Sequence, residues 1–347
     1  MTKKKWFWAL ISLVIAVLSI WGVTSAASGF SIEQLREDFA NADYKWVACA
    51  FLCMLGFIFF EGAALSVILK ELTPEKFRPR YILYSSADNF FSAITPSATG
   101  GQPACALFMM RDGINGAVTT VTLLVNLTLY SVSLLLIGGG VMIIRPGAIS
   151  VLRPFAKILV LIGFAVLVVL VLGLLLLLWK EQVLHGILSA VLRFLTKIRI
   201  IRKPDKWKAK TDCLVRDYKE ASVAVAGKAG MIAKALLLNV LQRVSQISVA
   251  MFMYLANGGS SKYAADVWAF QGLTSVGSYC LPIPGGMGAA DYLLLDGLSH
   301  VPDVTNAANL ELLSRGVSFY CCVLVCGIIT LIGFLVGKRR EENAGVL

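Results

Sequence analysis

Apolar stretches long enough to cross a bilayer recur along the chain, with short polar segments between them. The clearest runs from Ile158 to Trp179 and carries no charge. About 20 apolar residues in a helix span the ~30 Å hydrocarbon core of a membrane. The pattern therefore predicts six full transmembrane α-helices, at about 6–26, 46–69, 114–144, 156–179, 231–256 and 311–337.

Two Gly/Pro-rich segments interrupt apolar stretches, one in each half of the chain. They are ITPSATGGQP at 94–103 and LPIPGGMGAAD at 281–291. Irregular backbone is tolerated at membrane depth only where protein buries it or where it lines a polar cavity. Each segment therefore predicts a re-entrant helical hairpin rather than a full crossing. Paired interruptions of this kind point to the substrate site of a transporter.

Lysine and arginine concentrate in alternate loops, which indicates the orientation of the chain. The cluster Lys3-Lys4-Lys5 precedes the first span, and residues 180–230 carry 12 Lys/Arg against five acids. We expect a multi-pass protein of the plasma membrane with both termini in the cytoplasm. The first hairpin then enters from the cytoplasm and the second from outside. Arg145, Arg153 and Lys157 would lie outside, against the general trend.

The fold class that follows is an all-α polytopic membrane protein with the two hairpins in an inverted repeat. We expect a single integral-membrane domain over 1–347, with a first half at 1–150 and a second half at 151–347. The cytoplasmic insert at 180–230 has apolar residues at helical spacing among basic ones. It is either an interfacial amphipathic helix on anionic headgroups or a connector helix packed on the bundle.

Composition supports this class of protein. The mean hydropathy is +0.75 and 57% of residues are hydrophobic. The net charge of +11 lies between spans, so we expect contact with lipid headgroups and no nucleic acid. The sequence has no P-loop, no HExxH and no GxSxG. We expect no cofactor and no metal, and the eight cysteines are interpreted as small packing residues.

The hairpins supply the first set of candidate substrate-binding residues. A half-helix that begins at Gly100-Gly101 or Gly285-Gly286 would direct free backbone N–H groups and a positive dipole end at the cavity, which suits an anionic phosphate. Glycine would permit close backbone approach, and neighbouring hydroxyl and amide groups would add donors. The candidates here are Thr95, Ser97, Gly100, Gly101, Gln102, Pro284, Gly285, Gly286, Gly288 and Asp291.

The fifth predicted span supplies the second set. Asn239, Gln242, Arg243 and Gln246 share one helical face at i, i+3, i+4 and i+7 spacing. A polar stripe in a membrane helix rarely faces lipid, and Arg243 would grip two oxygens of a lipid phosphodiester. The alternative is a structural ion pair between Arg243 and an acid such as Asp291 or Glu311.

Three further charged residues are candidates. Arg315 begins the sixth predicted span and is counted among the substrate-binding residues. Glu61 and Asp88 would bind a cationic headgroup or relay protons if buried, or else reach the membrane interface.

These motifs resemble the transmembrane region of the lysylphosphatidylglycerol synthase/flippase family. The resemblance rests on the two Gly/Pro segments, on Asp291 and on Arg315, and covers nearly the whole chain. It implies translocation of a lipid such as aminoacyl-phosphatidylglycerol by the membrane half of the family. The chain is expected to lack the cytoplasmic aminoacyl-transferase half, so no lysyl transfer is expected. Many relatives are expected to carry an acid at the position of Gln102. With glutamine there, the first hairpin of this chain is less charged than the corresponding hairpin of those relatives.

The sequence therefore predicts a lipid flippase or scramblase for an anionic or aminoacylated phospholipid, a glycolipid or a polyprenyl-phosphate carrier. Alternatives stay open at this point. One is a phosphatidylglycerol lysyltransferase-family role in aminoacyl-lipid synthesis and resistance to cationic antimicrobial peptides. Another is a non-transporting membrane partner of a separately encoded synthase, and a small-solute carrier is a weaker option. A homo-oligomer is compatible with all of them.

Overall fold

The computed structural model describes residues 42–343 except 74–79, 96–97, 181, 184, 187–188, 191–195, 197–203, 281–287, 303 and 305–306. Within these ranges every regular element is helical. The α-helices are α1 Tyr44–Leu72, α2 Tyr81–Ile94, α3 Gly101–Arg111, α4 Gly116–Ile144, α5 Pro146–Ser150, α6 Pro154–Trp179, α7 Pro204–Ala226, α8 Ala229–Ala256, α9 Ser261–Gly277, α10 Ala289–Leu298, α11 Ala307–Arg315 and α12 Cys322–Asn343.

Five helical stretches are long and apolar enough to cross a membrane. They are α1, α4, α6, α8 and the stretch Ala307–Val336, in which a π-helical segment, Gly316–Cys321, joins α11 to α12. These confirm the second to sixth predicted spans and an all-α polytopic membrane protein. The first predicted span, 6–26, lies outside the described residues.

Two of the long helices, α1 and α4, begin where a polar side chain satisfies a free N–H group of the first turn. Asp43 accepts a hydrogen bond from the Lys45 backbone N–H at 3.0 Å, ahead of α1. Asn115 does the same for the Ala117 N–H at 2.8 Å, ahead of α4. Such caps stabilise a helix by about 1 kcal/mol. The caps fix the starts of apolar runs whose propensity alone does not define a boundary.

Helices α2 and α3 form the first hairpin. At 14 and 11 residues they measure about 21 Å and 17 Å, too short to cross a bilayer. Arg80, just before α2, donates from Nε to Asp112 Oδ2, just after α3, at 3.0 Å. The Tyr84 hydroxyl donates to the same oxygen at 2.6 Å. The hydrogen bond to Asp112 raises the pKa of the Arg80 guanidinium. Because Arg80 and Asp112 are in contact, the chain enters and leaves this hairpin at the same end of the bundle.

Helices α9 and α10 form the second hairpin, and they run antiparallel. Gly277 at the end of α9 packs against Leu293, and Gly297 near the end of α10 packs against the Phe270 ring. The 310 turn Ser278–Cys280 follows α9. The tip of this hairpin, at 281–287, lies outside the described residues.

The hairpins enter from opposite ends of the bundle. We call these the Asp112 end, where the first hairpin opens, and the Arg145 end. At the Arg145 end, Arg145 pairs with Asp266 on α9, and Arg153 Nε lies 3.2 Å from Asp296 Oδ1 on α10. The two arginines that run against the charge trend of the loops are therefore ion-paired with the second hairpin.

The two halves have the same order of elements in opposite directions. In the first half, α1, the first hairpin and α4 follow one another; in the second, α8, the second hairpin and α11–α12 do. Helix α1 begins beside the end of α8, where the Asp43 N–H donates to the Ala256 carbonyl at 2.8 Å. Helix α8 begins beside the end of α1, where Lys228 Nζ lies 2.8 Å from Glu71 Oε2.

The basic insert packs at the Asp112 end through α7. Its residues Tyr218, Ala221 and Val225 are buried against Val121 and Val125 of α4. The Tyr218 hydroxyl donates to the Leu177 carbonyl at 3.0 Å. The described part of the insert therefore includes a connector helix packed on the bundle. The residues on which the amphipathic interpretation rests lie outside the described ranges.

Candidate functional site

A cavity of about 860 Å³ with charged and polar residues in its wall lies inside the bundle, where both hairpins meet the long helices. The first hairpin contributes Asp88 and Gln102 to its wall, and the second contributes Gln271 and Thr274. Helices α1, α4 and α8 and the π-helical segment close the remaining sides. One cavity is thus shared by the two inverted hairpins.

The predicted substrate-binding residues fall into three groups. Those that line the cavity are Gln102, Gln242, Arg243, Gln246 and Arg315. Those that are described but do not line it are Thr95, Gly100, Gly101, Asn239, Gly288 and Asp291. Ser97, Pro284, Gly285 and Gly286 lie outside the described residues.

The polar face of α8 points into the bundle. Gln242 and Arg243 are 1% and 4% exposed and line the cavity. Asn239, one turn earlier, donates to Asn126 Oδ1 on α4 at 3.1 Å and to the Ala235 carbonyl at 2.9 Å. Asn239 therefore ties α8 to α4 beside the cavity and does not face a guest.

Arg243 is buried and makes no direct ion pair with a described acid. Its guanidinium carbon lies 4.2 Å from the centroid of the Tyr130 ring and 5.0 Å from that of Phe57. Nη1 donates to Gln246 Oε1 at 2.5 Å, and Nε has no hydrogen-bond partner. Among the described residues no carboxylate lies within 4.0 Å of it. A buried cation normally has a counter-charge, because desolvation of an unpaired one costs several kcal/mol.

The acids that sequence analysis offered as partners of Arg243 pair with Arg315 instead. Arg315 binds Asp291 through Nη2, and its Nε lies 3.1 Å from Glu311 Oε1. Asp291 also accepts a hydrogen bond from the Gly288 N–H at 2.8 Å, ahead of α10. Gly288 has φ +83°, which favours glycine. Asp291 thus holds the start of α10 to Arg315, and the alternative of an ion pair with Arg243 was wrong for these two acids.

The tip of the first hairpin is held by its own side chains. Thr95 Oγ1 donates to the Phe91 carbonyl at 2.6 Å and accepts from the Gly100 N–H at 2.8 Å. A Cβ on Gly101 would lie 2.1 Å from Asp88 Oδ1 and 2.6 Å from the Asp88 carbonyl oxygen. The first turn of α3 therefore faces the carboxylate of Asp88. Sequence analysis attributed Gly101 to the close approach of a guest to the backbone. In the structure it is α2 that approaches the backbone of Gly101 closely.

Two buried carboxyl groups occupy the wall beside Arg243. Glu61 and Asp88 are 6% and 7% exposed, so neither reaches the membrane interface. Sequence analysis offered both as groups that, if buried, would bind a cationic headgroup or relay protons. Tyr130 and Phe57, which flank Arg243, were missed, because a single aromatic residue in a long apolar helix carries no periodic signal.

The arrangement places an arginine with no described carboxylate within 4.0 Å and two buried carboxyl groups in the wall of one cavity. A volume of about 860 Å³ falls within the range of small-molecule sites, about 300–1,000 Å³. Charged groups that converge on such a cavity indicate a charged or zwitterionic guest.

Comparison with known proteins gives one family. Residues 9–326 match the family model described as lysylphosphatidylglycerol synthase TM region. No curated protein and no solved structure matches the chain.

Proposed function

The chain belongs to the lysylphosphatidylglycerol synthase TM-region family, and on that premise we propose that it moves a phospholipid between the two leaflets of a membrane. The headgroup phosphate binds Arg243 in the cavity between the hairpins, while the acyl chains stay in the lipid. The single observation that carries this proposal is the buried guanidinium of Arg243 with an unpartnered Nε.

A phosphodiester fits the free edge of Arg243. The guanidinium has a planar fork of N–H donors that matches two oxygens of a phosphate, and such charge-assisted bonds are about twice as strong as neutral ones. Tyr130 and Phe57 hold the fork in place from the sides. The side chain is therefore ordered before the lipid arrives, which lowers the entropic cost of binding.

The inverted hairpins support movement as well as binding. Both reach the same cavity from opposite ends, so small shifts of either hairpin would open the headgroup site to one leaflet and close it to the other. Alternating access around a fixed central site is the usual mechanism for transporters built from inverted repeats.

The charge distribution supports a cytoplasmic Asp112 end. Lys70 and Arg111 lie there, and the basic insert is attached there. The arginines of the opposite end are neutralised, because Arg145 and Arg153 pair with Asp266 and Asp296. We place the protein in the plasma membrane with this orientation on the basis of the positive-inside rule.

Transport by purified protein tests the proposal. The protein is reconstituted in liposomes with short-chain radiolabelled phospholipids, and the outer-leaflet fraction is followed by albumin extraction. We expect faster exchange than in empty vesicles, and a loss of at least about tenfold in Arg243→Ala, in keeping with the loss of a charge-assisted contact. Leu237→Ala, on the lipid-facing side of the same helix (Leu237 is 59% exposed), is the matched control. Wild-type exchange no faster than in empty vesicles for every phospholipid overturns the proposal.

A further inference from the structure

We infer that the transported phospholipid carries a sugar or cyclitol ring on its phosphate, and that an uncharged polar stripe on the second hairpin binds this ring. The stripe consists of Gln271, Thr274, Ser275 and Ser278, which all line the cavity. The inference rests on the proposed function, because it names the group attached to the phosphate that is placed at Arg243.

The stripe is one face of α9. Its residues have i, i+3, i+4 and i+7 spacing, which brings them to one side of a helix. Ser278 begins the 310 turn that continues α9. The opposite face is packed into the bundle, where Leu273 and Val276 are 1% and 0% exposed. Residues 271–279 include no charged side chain, so this wall of the cavity offers only neutral groups to a guest.

The hydroxyl of Thr274 is an independent observation that points to a ligand. The residue is 3% exposed, and no group among the described residues donates to its Oγ1 or accepts from it. Other buried hydroxyls of the described chain also lack partners, but of these it is Thr274 that lines the cavity. A buried hydroxyl has given up its hydrogen bonds to water, so this group favours a guest that bonds to it.

The rest of the stripe offers both donors and acceptors. Ser275 Oγ donates to the Gln271 carbonyl at 2.9 Å, which leaves the serine oxygen as an acceptor. The side-chain amide of Gln271 carries both N–H donors and an acceptor oxygen. A hydroxyl group donates and accepts, whereas an ammonium group only donates and a phosphodiester only accepts. A guest rich in hydroxyl groups therefore matches this wall.

Thr274 and Arg243 lie at about the same depth in the bundle. Helices α8 and α9 are joined by a short turn and run antiparallel, and Trp268 Nε1 donates to Ser248 Oγ at 3.1 Å. Both helices rise about 1.5 Å per residue. From this contact, five residues back along α8 lead to Arg243, and six residues forward along α9 lead to Thr274. One headgroup can therefore bind the arginine through its phosphate and the stripe through the next group.

The length of the stripe favours a ring over a small alcohol. From 271 to 278 it extends about 10 Å along the helix, so the free hydroxyls of a glycerol would bind only part of it. A hexose or a cyclitol has hydroxyls around its whole circumference. The Tyr279 ring lies next to the stripe and lines the same cavity, where it offers apolar surface to the C–H face of a sugar.

The shared chemistry is a phosphodiester that carries a ring of hydroxyl groups. A cyclitol phospholipid has it, and so does a phospholipid with a phosphate-linked hexose. Both are anionic, so the phosphate site at Arg243 is the same for either source. The experiment separates the two.

Lipid pairs that differ only in the ring hydroxyls test the inference. Wild-type protein in liposomes is given phosphatidylinositol against phosphatidylcyclohexanol, and phosphatidylglucose against phosphatidylcyclohexylmethanol. After the rates in empty vesicles are subtracted, we expect at least one ring polyol to cross at least about tenfold faster than its partner, because a lipid without hydroxyls leaves the stripe unpaired. The pair that shows the preference identifies the source. Phosphatidylglycerol should cross more slowly than the preferred lipid, and equal rates for these two would overturn the assignment of a ring.

Thr274→Val links the preference to the stripe, since it removes the unpartnered hydroxyl with little change of shape. We expect the rate ratio within the preferred pair to fall at least about threefold, as loss of one hydrogen bond predicts. Thr330→Val on α12 is the matched control, because Thr330 Oγ1 is also buried without a described partner but does not line the cavity. Full preference in Thr274→Val overturns the assignment to α9.

The outcomes separate the inference from the proposed function. Equal rates within both pairs, with transport still dependent on Arg243, overturn the ring site and leave the phosphate site standing. No transport of any lipid by the wild type overturns both. If Thr274→Val does not fold, competition on wild-type protein decides: inositol 1-phosphate or glucose 6-phosphate must inhibit transport at least about tenfold better than cyclohexyl phosphate, and equal inhibition by all three overturns the inference.

Discussion

The side-chain amide of Gln242 donates a hydrogen bond to Glu61 Oε2 at 3.1 Å. These residues lie on α8 and α1, which hold corresponding places in the two inverted halves and form the most extensive contact between any two described helices. A polar bond at the middle of this apolar interface is costly unless both partners are satisfied. The interface between the halves thus includes part of the cavity wall.

Replacement of Gln242 by Leu should destabilise the protein by about 1–3 kcal/mol, because Glu61 loses a donor while it stays buried. The measurement is the thermal unfolding midpoint in detergent, in a double-mutant cycle with Glu61→Met. We expect the double variant to be less destabilised than the sum of the single ones, with a coupling of at least ~0.5 kcal/mol. Strict additivity would show that the bond contributes nothing to stability.

Gly163 on α6 should be intolerant of a single methyl group. An alanine Cβ there would lie 2.2 Å from the carbonyl oxygen of Val276 and 2.9 Å from the Cα of Gly277, at the end of α9. Backbone cannot rotate away, so we expect Gly163→Ala to cost about 1–3 kcal/mol and to displace the second hairpin. Gly173→Ala, on the same helix with no atom within 4 Å, is the matched control and should be neutral or slightly stabilising. Equal unfolding midpoints for the two variants would contradict this packing.

The first hairpin should depend in the same way on Gly101. Alanine at 101 would place Cβ 2.6 Å from the backbone oxygen of Asp88, which forces α3 away from α2. We expect faster hydrogen exchange in α3 and lower transport, whereas Gly140→Ala in α4, where a Cβ meets no atom within 4 Å, should preserve both. Unchanged exchange in Gly101→Ala would mean that the hairpin is held elsewhere.

The two cavity arginines should respond differently to removal. Arg315→Ala leaves Asp291 and Glu311 without their cation, and because the three side chains are only partly buried we expect a cost of about 1–3 kcal/mol. We expect a low yield of folded protein for this variant. Arg243→Ala leaves no described carboxylate unpaired, so it should fold normally and fail in transport. The measurements are size-exclusion profiles and unfolding midpoints of the two variants at equal expression. Equal instability of Arg315→Ala and Arg243→Ala would contradict this difference between the two arginines.

The spans could be predicted from the sequence because apolar runs of this length have few structural solutions. Helices α1, α4, α6 and α8 begin and end within two or three residues of the predicted bounds. The hairpins were also visible, since Gly and Pro mark where a helix stops. The polar face of α8 followed from helical spacing, and it does point inward at Gln242 and Arg243.

Partner choice inside the bundle could be predicted only in part. Glu311 stands four residues before Arg315 on one helix, a spacing that the sequence shows, whereas the pairing of Asp291 with Arg315 depends on how α10 packs against α11. The contact of Asp88 with Gly101 likewise depends on how tightly α2 and α3 approach. Such pairings arise from tertiary geometry, which local sequence does not encode.

A structure of the protein in lipid nanodiscs tests the central claim most directly, by showing what contacts the free edge of Arg243. We expect a lipid phosphate with an oxygen about 3 Å from the guanidinium, within the cavity shared by the hairpins. A carboxylate of the chain itself bound to Arg243, with the cavity closed by apolar side chains, would contradict the account.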